Sequence, residues 1–186
     1  DLIQMQTDLD SLRFPIGKFK IPESYSKENF ADWIHQIKEL PKLLYAEVSK
    51  LSNEQLNTPY REGGWSIRQV VHHLADSHIN SYCRFKLALT EETPSIRPYY
   101  EDRWALLEDG KNAPIEISLK LLDALHMRWV YMLERMSEKD WERKFFHPES
   151  KREFELKTIL ALYAWHSEHH LQHIVQLKKR MNWINH

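Results

Sequence analysis

The chain has 186 residues, of which 42% are hydrophobic and 28% charged, with a formal net charge of −1 when histidine is neutral. That is enough chain to bury a real core in one domain, and it excludes a charge balance suited to nucleic acid or an anionic membrane surface as the main partner. No apolar run approaches the roughly 20 residues of a transmembrane span, and the single cysteine, Cys83, forms no internal disulfide, so a reducing cytoplasm is the expected compartment.

Residues 1–25 contain Pro15, Gly17 and Pro22 and read as an extended N-terminal arm, leaving 26–186 as the folded domain. The sequence opens without an apolar signal run, and Met5 could serve as the native start, so residues 1–4 receive no functional weight. Ser26 is positioned to cap a first helix running to about Leu51, with a kink or break expected at Pro41. A loop around Gly63-Gly64 leads to Ser66, the N-cap of a second helix from Ile67 to about Leu89. Residues 91–114, with Pro94, Pro98, Gly110 and Pro114, form a long connection containing one short helix from Tyr99 to Leu107, suited to a crossover or a lid. A third helix is expected from Ile115 to about Met136, then a capped turn at Ser137, a turn at 147–150, and a fourth helix from about Glu155 to Met181. Low glycine content and 3.6-residue periodicity make this an all-α chain, a four-helix bundle.

Histidine is the informative residue. The last helix carries two i,i+4 pairs, His166/His170 and His169/His173. That spacing places two imidazoles on one helix face, within reach of one metal ion. His166 and His170 fall in or beside the apolar stripe, whereas His169 and His173 lie towards its flank. On the second helix His78 occupies the stripe's centre, with His72 and His73 on opposite flanks. A straight helical wheel selects His78 as a third ligand, but a neighbour packed beside Ser66, Val70 and Ser77 would bury His73 as well, so periodicity leaves the choice open. His35, His126, His147 and His186 read as ordinary surface or core residues. Cys83 reads as a core residue. Trp65, Trp129, Trp165 and Tyr163 read as bundle core before substrate cage, and Arg61, Arg68 and Arg128 as solvated charges unless an anionic substrate faces one of them.

The run from Gly63 to His78, GGWSIRQVVHHLADSH, with His166-Ser167-Glu168-His169-His170 near the C-terminus, resembles the two signature motifs of the DinB/YfiT-like superfamily. The similarity extends over most of the chain from Phe14 and is nearest the YfiT branch of bacillithiol S-transferases, also described as metal-dependent hydrolases. This resemblance implies a four-helix bundle holding one divalent metal through His73, His166 and His170, with zinc expected first and nickel, cobalt or manganese as alternatives. His72, His169 and His173 are then supporting or surface residues, and His169 or Glu168 could hydrogen-bond near a ligand. Many relatives continue the second motif with Arg-Gly-Gln, where this chain has Leu171-Gln172-His173. The resemblance also implies a homodimer and, as partners, a small-molecule thiol and an electrophile. Three neutral imidazoles leave the ion dipositive with an open position. A bound thiolate would make the protein a detoxifying S-transferase, a bound hydroxide would make it a hydrolase, and a closed site would make it a non-catalytic binding bundle.

Overall fold

The computed structural model describes residues 9–183; residues 1–8, including the alternative start at Met5, and His186 lie outside the described residues. Four long helices carry the fold: α1 (Lys27–Val48), α3 (Ile67–Thr90), α6 (Ile115–Leu133) and α8 (Leu156–Arg180). Short helices α2 (Asn53–Leu56), α4 (Glu101–Trp104), α5 (Glu108–Asn112) and α7 (Glu138–Trp141) lie between them. An antiparallel hairpin of β1 (Lys144–His147) and β2 (Arg152–Glu155) precedes α8. Among the described residues the protein is an all-α four-helix bundle carrying one small hairpin that periodicity did not reveal.

Local chemistry sets the helix starts. Ser26, Ser52, Ser66 and Ser137 each close a capping box with the residue three positions on. α1 runs unbroken through Pro41, whose side chain is buried, so the expected break is absent. The missing Pro41 N–H leaves the Ile37 carbonyl without its helical donor.

The core forms two clusters. One joins Leu40, Leu44 and Val48 of α1 to Ile67–Ala75 of α3, Ile115–Leu122 of α6 and Leu171–Leu177 of α8. The other joins Ile37 to Phe85, Trp129, Leu133, Leu156 and Leu160. The first cluster therefore takes the C-terminal halves of α1 and α8 and the N-terminal halves of α3 and α6. It follows that α1 and α8 point one way and α3 and α6 the other. α1 packs on α6 and α8, and α3 packs on the same two helices. Because α3 and α6 are parallel, residues 91–114 must travel the length of the bundle to join them, which explains their length. Between the two apolar clusters lies a layer of buried histidines.

Candidate metal centre

α3 is buried nearly all round at its N-terminal half, because α5 covers the side that α6 and α8 leave open. That extra cover resolves the ambiguity of the helical wheel: His72, His73 and His78 are 6%, 4% and 0% exposed. The three diverge in direction. His72 faces α5 and α6, with Nε2 at 3.0 Å from the Ala113 carbonyl and Nδ1 at 2.7 Å from Ser118 Oγ. His73 faces α8, where its Nε2 lies 3.3 Å from His166 Nε2. His78 lies deeper, with Nε2 at 3.1 Å from His166 Nδ1.

His73, His166 and His170 offer nitrogens that all lie within 4.8 Å of one another. The structure thus brings together the three residues named by motif, while His78 sits behind His166 rather than beside it. Trp65 packs 4.5 Å from the His73 ring and 6.3 Å from that of His170, walling the cluster. A second group, His169, His170 and His173, has equally close nitrogens but shares His170. Both ring nitrogens of His173 are engaged, Nε2 at 3.0 Å from the Arg13 carbonyl and Nδ1 at 3.3 Å from His170 Nδ1. The two groups share His170, so among the described residues they are alternative ligand sets at one place, and His173 is the member tied to the N-terminal segment. His169 stacks on Trp165, and Glu168 is hydrogen-bonded to Gln172 rather than to any histidine of the cluster.

Burial keeps these rings neutral. It drives the His73 imidazole down to about 3, aided by His169 and His173. It holds His166 and His170 well below the usual histidine range, with their histidine neighbours adding to the effect. The donor set of three neutral nitrogens suits a borderline divalent cation such as zinc. The 3.3 Å between His73 Nε2 and His166 Nε2 matches the edge of a tetrahedron built on bonds of about 2 Å, which is about 3.3 Å.

Two cavities meet at His166. The larger, about 500 Å³, runs past Ser77, Tyr99, Tyr163 and Arg84. The smaller, about 350 Å³, is bounded by Phe14, Arg61, Trp65 and the histidine cluster. Glu101 and Asp102 line both, so the connection crossing from α3 to α6 passes over their junction. Burial and then Asp102 raise the Glu101 carboxyl, and burial raises the Tyr99 and Tyr163 phenols. Tyr99, Glu101 and Asp102 do not stand out in the sequence; their placement depends on the crossover path. Asp76, from the first histidine motif, is raised to about 6 by burial and the nearby Asp109.

Other assignments change. Cys83 is exposed, not core: five residues beyond His78 is a turn of about 140° from the buried centre of α3. Arg68 is buried and structural, bonding Asn53, Asn57 and Ala113. Trp129 and Tyr163 are buried in the core, whereas Trp65 and Trp165 are partly exposed and border the smaller cavity. His126, read as an ordinary residue, belongs to the histidine layer, 2.8 Å from His78.

A model of the DinB superfamily matches residues 36–174. The chain belongs to the DinB superfamily. It is 51% identical over 173 residues to "Putative metal-dependent hydrolase YfiT" of Bacillus subtilis (strain 168), covering 93% of this chain and 97% of that protein. A relative of Bacillus cereus (strain B4264), also named "Putative metal-dependent hydrolase", is 49% identical over 94% of this chain and 100% of its own length. Among solved structures, YfiT from Bacillus subtilis superposes with a TM-score of 0.91 at 50% identity, covering 94% of this chain and 99% of that one. That structure is described as a probable metal-dependent hydrolase with an unusual four-helix bundle topology.

Proposed function

We propose that this DinB-superfamily protein is a metal-dependent enzyme whose divalent cation, zinc first among the candidates, is held by His73, His166 and His170. The observation that carries this reading is the convergence of three neutral imidazoles within 4.8 Å of one another, at the junction of two cavities. A cation held there would supply Lewis acidity, making a thiol or a water at its open position nucleophilic near neutral pH. Trp65 and the crossing segment at Glu101 limit water access, and the two cavities offer separate space for a nucleophile and an acceptor.

Within this reading we favour S-transfer from a low-molecular-weight thiol, bacillithiol first, to an electrophilic small molecule. Two cavities meeting at one centre suit a two-substrate reaction. Arg61 beside the smaller cavity suits a thiol bearing carboxylates. Hydrolysis is the competing reading, supported by the names of the relatives. Turnover of a fluorogenic electrophile is the test, with bacillithiol, cysteine, coenzyme A and glutathione supplied to zinc-loaded and metal-free protein. Metal-dependent conjugation supports transfer. Ester or amide hydrolysis without conjugation selects the hydrolase, and neither activity selects a binding bundle. A cytoplasmic homodimer is part of the same proposal, and a monomeric mass in light scattering at micromolar concentration removes the dimer.

A further inference from the structure

We propose that His78, His126 and His173 are positioning residues that fix the tautomers of His166 and His170, so that both turn an Nε2 lone pair towards His73. Two backbone carbonyls, those of Ile37 and Arg13, anchor the two chains. A carbonyl oxygen only accepts, so the nitrogen facing it must carry hydrogen. In the first chain, His126 Nδ1–H donates to the Ile37 carbonyl at 2.6 Å. A neutral ring with hydrogen on Nδ1 has its lone pair on Nε2. His126 Nε2 therefore accepts, at 2.8 Å, from His78 Nδ1–H. His78 Nε2 then accepts, at 3.1 Å, from His166 Nδ1–H. The last free lone pair is on His166 Nε2, which faces His73.

The second chain has the same logic. His173 Nε2–H donates to the Arg13 carbonyl at 3.0 Å. Its Nδ1 accepts, at 3.3 Å, from His170 Nδ1–H, leaving the His170 lone pair on Nε2. Each step requires neutral rings, and the five histidines are 0–7% exposed or enclosed in the cluster, with no carboxylate among the described residues hydrogen-bonded to any of them.

Both anchors are carbonyls spared by the backbone's own bonding. Pro41 stands four residues after Ile37 and lacks the N–H that would engage it. Arg13 ends the helical turn of residues 9–13, where carbonyls have no helical donor. Pro41 thus acquires a role beyond α1: it frees the acceptor at the far end of a chain of three imidazoles.

The inference rests on the three-histidine metal reading for its purpose, but the tautomers are readable without metal. Long-range ¹H–¹⁵N correlation spectra of the histidine rings in metal-free protein at pH 7.5 should place hydrogen on Nδ1 in His78, His126, His166 and His170, and on Nε2 in His173. Hydrogen on Nε2 of His78 or His166 overturns the first chain, and on Nε2 of His170 the second. In a chelator competition, His126→Ala should weaken zinc binding about 10- to 100-fold, because His78 loses its acceptor. His126→Gln, whose amide oxygen can accept from His78, should recover most of that loss. His72→Ala removes another buried histidine of the same layer, outside both chains, and should leave zinc affinity unchanged. Equal losses in His126→Ala, His126→Gln and His72→Ala would mean general disruption and overturn the positioning role. If the tautomers are as stated and no zinc binds, the metal reading fails and the two chains stand.

Discussion

Lys178 is 5% exposed and places its ammonium 2.6 Å from Glu47 Oε2 and 2.8 Å from the Glu47 carbonyl. Removing one partner of such a pair leaves the other partly desolvated and uncompensated. Lys178→Met should cost about 2 kcal/mol, below the fully buried range because the Glu47 side chain is 28% exposed. Urea unfolding checks this, and Glu47→Leu in the same chain should recover part of the loss. At Gly64 a Cβ would lie 2.7 Å from Arg61 Cγ and 3.2 Å from the Arg61 carbonyl oxygen. The side chain could move but the backbone oxygen could not. Gly64→Ala should therefore destabilise by about 1–3 kcal/mol and, by shifting the adjacent Trp65 from the His73 ring, alter tryptophan emission. At this scale the sequence was only partly legible. Spacing on α8 selected His166 and His170, but choosing between His73 and His78 required knowing which helices surround α3. His126 carried no local signal, because its partner His78 is 48 residues away.

Element boundaries were clearer, since a cap is chemistry between residues three apart. Ser26, Ser66 and Ser137 were all readable for that reason. β1 and β2 were not: four residues each give too little alternation to register. The path of residues 91–114 was legible as a long connection suited to a crossover or a lid, but which of its residues, Glu101 and Asp102, would line two cavities was not. Gln69 links these levels. Its side chain closes the Ser66 capping box at 3.0 Å and its Nε2 donates to the Ala105 carbonyl at 2.8 Å. Ser66→Ala should cost about 1 kcal/mol through the cap alone. Gln69→Ala should cost somewhat more and, unlike Ser66→Ala, speed amide hydrogen exchange across α4. Equal exchange in the two variants would show that the Ala105 bond does not hold the connection down.

The molecule as a whole has an acid-sensitive waist. Burial lowers the imidazoles of eight histidines: His72, His73, His78, His126, His166, His169, His170 and His173. When the folded value is depressed, the unfolded chain takes up the proton first as pH falls. Stability from these groups is therefore complete above about 6.5, the ordinary histidine value. It is lost as pH falls towards about 4 for His126, His169 and His173 and about 3 for His73. Asp76, raised to about 6, and Glu101, also raised by burial, act in the opposite sense, but they are two groups against eight. Metal-free protein should lose stability steeply between pH 7 and 5, by about 1.4 kcal/mol per pH unit for each proton taken up. Urea midpoints at pH 7.5 and 5.5 measure it; equal midpoints would mean the rings are hydrated and titrate normally.

The N-terminal segment is tied to this waist at several points. The Arg13 carbonyl holds His173, the Gly17 carbonyl accepts from Trp165 Nε1 at 3.3 Å, and Phe14 lies 6.0 Å from the His169 ring. Coupling between two binding events is reciprocal. Whatever docking of this segment adds to cation affinity through His173 and His170, a bound cation returns as tighter docking, by the same factor. A protease directed at the arm would then act as a gauge of the metal centre: cutting should slow on zinc loading, and a clipped chain should surrender zinc to a chelator sooner than an intact one.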